Sequence, residues 1–223
     1  MTRDAGPTTL DQDRALVDHA APSSTVVDAS TAQLATDILA GAFYRDPLWG
    51  WAFPDDARRF EQHRAVWGMF VDAAIRYPWV RMNESGTAVA LWIPPGGSEL
   101  TDEGEAAFEP LIVSMLGDDA PRVIDAFAAL EHAHPHDEPH FYLSLLGTDP
   151  QHLGRGYGLG LLEDNLREID ALGMPAYLES SNPGNVALYV RHGFEPRAAV
   201  SIPHGGPDIV TMWRPSRPTP ESV

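Results

Sequence analysis

A chain of 223 residues holds one sizeable α/β or α+β domain or two small ones, and 43% hydrophobic content supplies a core. With no cysteine it excludes a disulfide scaffold, a thiolate metal site and a cysteine nucleophile, and no apolar stretch approaches bilayer-spanning length. The balance of 15 basic against 32 acidic residues, net −17, argues against a nucleic-acid or anionic-membrane partner and suits solubility or a cationic ligand.

The start of the chain has no apolar signal region, which predicts a soluble cytoplasmic protein. Residues 1–25 show scattered Asp, Thr, Pro and Ala without periodicity and predict a disordered tail. Val26-Val27 reads as a short first strand. A helix capped by Asp28 or Ser30 follows, with Leu34, Ile38 and Ala42 on one face and Leu39 and Phe43 beside it. Asp46-Pro47 stops that helix. The next stretch, 46–54, is an aromatic loop between two prolines, whose Trp49, Trp51 and Phe53 either stack on a ligand or plug the core. Residues 55–77 predict a longer helix with Phe60, Trp67, Phe70, Val71 and Ala74 as its apolar stripe. Residues 79–82 and 87–93 flank Asn83-Glu84-Ser85-Gly86 as a hairpin, ended by Pro94-Pro95-Gly96-Gly97.

Two further helices are expected over 102–116 and 121–133. His132, His134, His136 and His140 follow, but Pro135 and Pro139 break the extended backbone that alternating ligands would need. The expectation is an exposed polar linker and no metal site.

Phe141 to Leu146 has the length and content of a buried strand. Gly154-Arg155-Gly156-Tyr157-Gly158-Leu159-Gly160 comes next, and then a helix with Leu159, Leu162, Leu166 and Ile169 on one face. Strand, glycine turn and helix together aim main-chain N–H groups at one point, at the positive end of a helix dipole. That is an anion cradle suited to a diphosphate. No Gly-Lys-Ser/Thr makes it a Walker A loop, and no acidic residue ending a second strand makes it a dinucleotide fingerprint. Gly173-Met174-Pro175 closes the helix, and 176–181 reads as the partner strand. Asn185 is placed to cap a short helix ended by Gly193, and a last hairpin pairs 194–202 with 208–213. Residues 215–223 predict a disordered proline-rich tail.

The run Thr148-Asp149-Pro150-Gln151-His152-Leu153-Gly154-Arg155-Gly156-Tyr157-Gly158 resembles motif A of the GNAT acyltransferases, Gln/Arg-x-x-Gly-x-Gly/Ala. Asn185-Val186-Ala187-Leu188-Tyr189-Val190-Arg191-His192-Gly193-Phe194 is similar to the family's Asn…Tyr…Gly-Phe motif B. The departure is Leu153, where the family has Gln or Arg. Because the family's contact runs mainly through backbone amides, acetyl-CoA binding is expected to survive it.

The resemblance implies an α+β fold over residues 26–214: a central, mostly antiparallel sheet flanked by helices and splayed between its fourth and fifth strands. A helical insertion falls at about 101–134. It also implies an acetyl-CoA-dependent N-acetyltransferase acting on a small-molecule amine by direct attack, with no metal, no nucleic-acid or membrane partner, and compatible with a homodimer. The amides of Gly154, Arg155, Gly156, Tyr157 and Gly158 would hold the diphosphate. Leu146 N–H, Thr148 and Asn185 would take the thioester and pantetheine arm. Tyr189 takes the family's catalytic position; a phenol with an ordinary pKa of about 10 is protonated at neutral pH and can give its proton to sulfur. Glu179 is the candidate amine base or a structural salt-bridge partner, with Asp46 and Glu138 behind it. Asp46, Trp49, Trp51 and Phe53 would line the acceptor pocket. A peptide or protein N-acetyltransferase and a non-catalytic acyl-CoA sensor domain are the alternatives.

Overall fold

The computed structural model describes residues 24–217. The tails expected at 1–23 and 218–223 lie outside these residues. Ser24 and Thr25, expected in the tail, instead form β1 (Ser24–Val26) with Val26. The chain continues through α1 (Ala32–Phe43), α2 (Pro47–Ala52), α3 (Asp56–Ala74), β2 (Val80–Asn83) and β3 (Ala88–Ile93). Then come α4 (Asp102–Leu116), α5 (Ala120–Ala133), β4 (Phe141–Thr148), α6 (Tyr157–Ala171), β5 (Ala176–Ser180), α7 (Val186–Arg191), β6 (Glu195–Val200) and β7 (Ile209–Arg214).

The strands form one seven-stranded sheet in the order β1-β2-β3-β4-β5-β7-β6. Every neighbouring pair is antiparallel except β4 and β5, which run parallel. This is the mixed, mostly antiparallel architecture that the sequence implied. β3 is buried at every position because both faces of the sheet are covered. Val89, Leu91 and Ile93 join one core with α1, α3 and α5; Ala88, Ala90 and Trp92 join the other, beneath α6. Trp92 Nε1 donates to Asn165 Oδ1 at 3.0 Å, so a polar pair fixes α6 on the sheet. Arg214, 2% exposed, grips both carboxylate oxygens of Asp170 at 2.5 and 2.6 Å and ties β7 to the same helix.

Three details differ from the sequence reading. Leu34 is 47% exposed and Phe60 37% exposed, while Ile38 and Leu39 of α1 and Trp67, Phe70, Val71 and Ala74 of α3 are buried as expected, joined by Ala35 and Val66. Apolar periodicity fixed the helices and most of each buried face, missing only at Leu34 and Phe60. The stretch after Asp46 is a helix and not a loop. Pro47 suits its first position, and the Asp46 carboxylate accepts the N–H groups of Leu48 and Trp49 at 2.9 and 3.2 Å.

Candidate active site

β4 pairs with β5 at only three positions, Phe141 with Ala176, Tyr142 with Tyr177 and Leu143 with Leu178. Beyond Leu143 the two strands part. On its other side β4 carries a bulge opposite Leu91 and Trp92, at Ser144, and stays paired with β3 through Thr148. The bond from Asp149 N–H to the Thr87 carbonyl, 2.8 Å, sets the alternation along that ladder. It leaves the N–H groups of Leu146 and Thr148 pointing away from β3, into the gap. Unpaired main-chain donors beside a cleft are what a thioester carbonyl and an amide-bearing arm require.

The cradle lies at the far end of the same strand. Gly156 is the N-cap of α6 in the left-handed region at φ 80°, and Gly154 has φ 76°, conformations that a side chain would strain. A Cβ on Gly158 would stand 2.6 Å from Thr148 Oγ1, so only glycine lets the helix start this close to β4. Among the described residues, none of the N–H groups of Gly154, Arg155, Gly156, Tyr157 and Gly158 donates to another protein group. Arg155 and Leu153 are exposed beside them. Free amides at the N-terminus of a 15-residue helix fit the linked phosphates of a coenzyme.

A cavity of about 870 Å³ opens at the splay and takes its lining from both cores, so it crosses the sheet. Leu146, Asn185 and Tyr189 line it on the α6 side; Asp46, Trp49, Phe108 and Phe127 line it on the other. Tyr189 packs edge-on to Phe194 at 6.0 Å, and burial, with the Asp46 charge, pushes its phenol up to about 12. It therefore stays protonated throughout the working range. Asn185 lines the cavity but does not cap α7 with its side chain; Asn182 takes that kind of role one turn earlier, accepting the Gly184 N–H at 2.9 Å.

Glu179 projects from β5 on the face opposite Ala176 and Leu178, with its side chain only 7% exposed. His134 Nδ1 lies 3.7 Å from Glu179 Oε1, and His134 and His140 share a hydrogen bond between their Nε2 atoms at 3.1 Å, so at least one of the two rings is neutral. Burial and then the Glu179 charge raise the phenols of Tyr142 and Tyr177. The segment expected as an exposed polar linker thus carries the half-buried His134 and the buried His140 at the cavity, because the turn after α5 folds back over β4 and β5. Among the described residues no group of three or more His, Asp or Glu could hold a metal ion.

The expected acceptor wall divides. Asp46 and Trp49 line the cavity, whereas Phe53 is fully buried against His63 and Trp51 stacks under Arg122 at 5.4 Å. Burial raises the Asp46 carboxyl, while the Ser181 hydroxyl at 2.7 Å and the two α2 amides favour its charged form. The sequence reading missed Glu99. This carboxylate, from the segment before α4, lines the cavity, accepts the Ser144 hydroxyl, and is pushed up to about 7, chiefly by burial. Nothing in its flanking residues signals that placement; it follows from where the helical pair α4–α5 leaves and rejoins the sheet.

Residues 99–194 match the model of the Acetyltransferase (GNAT) family. Solved structures share the fold across nearly the whole chain. A Corynebacterium glutamicum protein described as histone acetyltransferase HPA2 and related acetyltransferase is 24% identical over 91% of this chain and 99% of its own, with a TM-score of 0.60. The polyamine N-acetyltransferase of Drosophila melanogaster is 18% identical over 85% and 97%, with a TM-score of 0.54. A mosquito arylalkylamine N-acetyltransferase-like protein is 13% identical over 86% and 98%, with a TM-score of 0.57. At these identities the structures speak for the fold, and the family match speaks for the chemistry. With the splayed β4–β5 pair and the free amides before α6, the match over residues 99–194 supports an acetyl-CoA-dependent N-acetyltransferase.

Proposed function

We propose that the protein transfers the acetyl group of acetyl-CoA to the primary amine of a small molecule, by direct attack within a ternary complex. The observation that carries this reading is the acceptor side of the cavity. It lies under α2, α4 and α5, and among the described residues eight carboxylates and no arginine line the cavity. Negative lining draws in an ammonium and holds it in a low-dielectric chamber. Phe70, Phe108 and Phe127, with Trp49, form a connected wall at centroid spacings of 4.7 to 6.2 Å for an apolar or aromatic body. A chamber roofed by α2, α4 and α5 favours a small acceptor over a peptide, which would need an open groove. The order of Glu138-Pro139, Tyr177-Leu178-Glu179-Ser180-Ser181 and Met212-Trp213-Arg214-Pro215 resembles puromycin N-acetyltransferase. It supports an antibiotic or natural-product amine and, with it, a resistance role in the cytoplasm.

In this reading the amides of 154–158 hold the diphosphate, and Asn185 and Thr148 take the pantetheine arm. Leu146 N–H polarises the thioester carbonyl, Glu179 supplies negative charge to the ammonium, and Tyr189 protonates the departing sulfur. The test is thiol release from acetyl-CoA over puromycin and other amine antibiotics, phenethylamine, spermidine and short peptides. Turnover confined to peptides would favour a protein acetyltransferase, and coenzyme binding without turnover a sensor domain.

A further inference from the structure

Glu99 stands apart from the other carboxylates of the cavity. Asp46 has both oxygens engaged, Oδ1 by the Leu48 and Trp49 amides and Oδ2 by Ser181. Glu179 is enclosed and faces His134. Glu99 is held through Oε1 by Ser144, and among the described residues its Oε2 has no hydrogen-bond or ion-pair partner. Ser144 is the first β4 residue past the last pair with β5, two residues before Leu146. Two residues of strand span ~7 Å. The carboxylate is therefore anchored where the sheet opens, on the acceptor side, close to the main-chain donor that would polarise the thioester.

We propose that Glu99, positioned by Ser144, is the proton acceptor that turns the bound ammonium into the attacking amine. This rests on the acetyl-transfer reading above. Glu99 Oε2 takes one N–H proton, and the freed lone pair forms the C–N bond to the thioester carbon. The C–S bond breaks as the tetrahedral intermediate collapses, sulfur takes the phenolic proton of Tyr189, and the surplus proton on the new amide nitrogen returns to the phenolate. Glu99 then gives its proton to solvent. The groups that face it are Ser144, Glu179, His134 and Glu131: the two glutamates raise its carboxyl, and the hydroxyl and the histidine lower it. Held near neutrality, it is matched to base duty at ordinary pH.

The test is kcat/KM against pH with puromycin, phenethylamine and spermidine, for the wild type, Glu99→Gln and Ser144→Ala. The wild-type rate should rise with pH through an inflection near 7. Glu99→Gln should lose that inflection and fall ~10²-fold, with acetyl-CoA affinity by calorimetry unchanged, which also excludes misfolding. Ser144→Ala should keep turnover and move the inflection upward, since it removes a bond that favours the charged form. An unchanged profile in a turning-over Glu99→Gln enzyme would overturn the assignment alone. No turnover of any of the three amines by the wild type would overturn both it and the acetyl-transfer reading.

Discussion

The two ends of the cavity are built in opposite ways. The cradle is one continuous stretch, residues 154–158, and its donors are main-chain amides before α6. The acceptor chamber is assembled from side chains on α2, the segment before α4, α4, α5, β4 and β5, residues as far apart in sequence as Asp46 and Glu179. A local backbone site depends on glycine and helix geometry, so almost any side chain can stand beside it; exposed Leu153 does so. A long-range site depends on which side chains packing delivers to one place. The first suits a coenzyme that does not change. The second suits an acceptor that does.

Substitutions can separate the two ends. The largest effect should come from Gly158→Val, which sets a side chain against Thr148 Oγ1, where even a Cβ stands at 2.6 Å. Coenzyme binding by calorimetry should be abolished while the protein stays folded by circular dichroism; retained affinity would break the local description of the cradle. Tyr189→Phe should lower kcat by ~10²–10⁴-fold with coenzyme affinity intact, as the proposed role of general acid requires. With its pKa about 12, the acid should also stay competent as pH is raised to 10, so an alkaline fall in kcat below that would count against it.

A third test probes the core under the chamber. His63 is fully buried, and burial lowers its pKa from 6.5 to about 4. The unfolded chain therefore binds the proton more readily, and stability present above pH 6.5 is lost as pH falls toward 4. The loss approaches about 3 kcal/mol at full protonation of the unfolded state, and urea midpoints at pH 7 and pH 5 should show part of it. His63→Leu should flatten that dependence. The smallest contrast lies within the aromatic residues. Phe127→Leu should raise the acceptor KM by about fivefold, at about 1 kcal/mol for a lost aromatic contact, whereas Trp51→Leu, off the cavity, should leave KM alone. Equal effects would mean that the chamber extends past Trp51.

Much of the fold was legible because its signals are periodic or local. The helices 102–116 and 120–133 fall almost where their apolar spacing puts them. The hairpin turn at 83–86 and the strand–glycine–helix unit are fixed by neighbours in sequence. The short helix after Asp46 escaped notice because six residues carry too little periodicity to register, although the Asp-Pro cap that starts it was in view. The burial of His140 and half-burial of His134 escaped for another reason: two prolines say that the backbone is irregular, not what folds over it.

The sequence by itself determined the glycine turn before α6 and the position of Tyr189 in its motif, since each is written within a few residues of the chain. Tertiary structure alone decided that Glu99 meets Ser144 across 45 residues, that Trp49 faces the cavity while Phe53 is buried off it, and that Asp46 is held by Ser181 at the end of β5, 135 residues on. Main-chain geometry follows from local propensity. The company a side chain keeps follows from how whole elements pack, and that is settled by the total burial of the fold, which no short stretch contains.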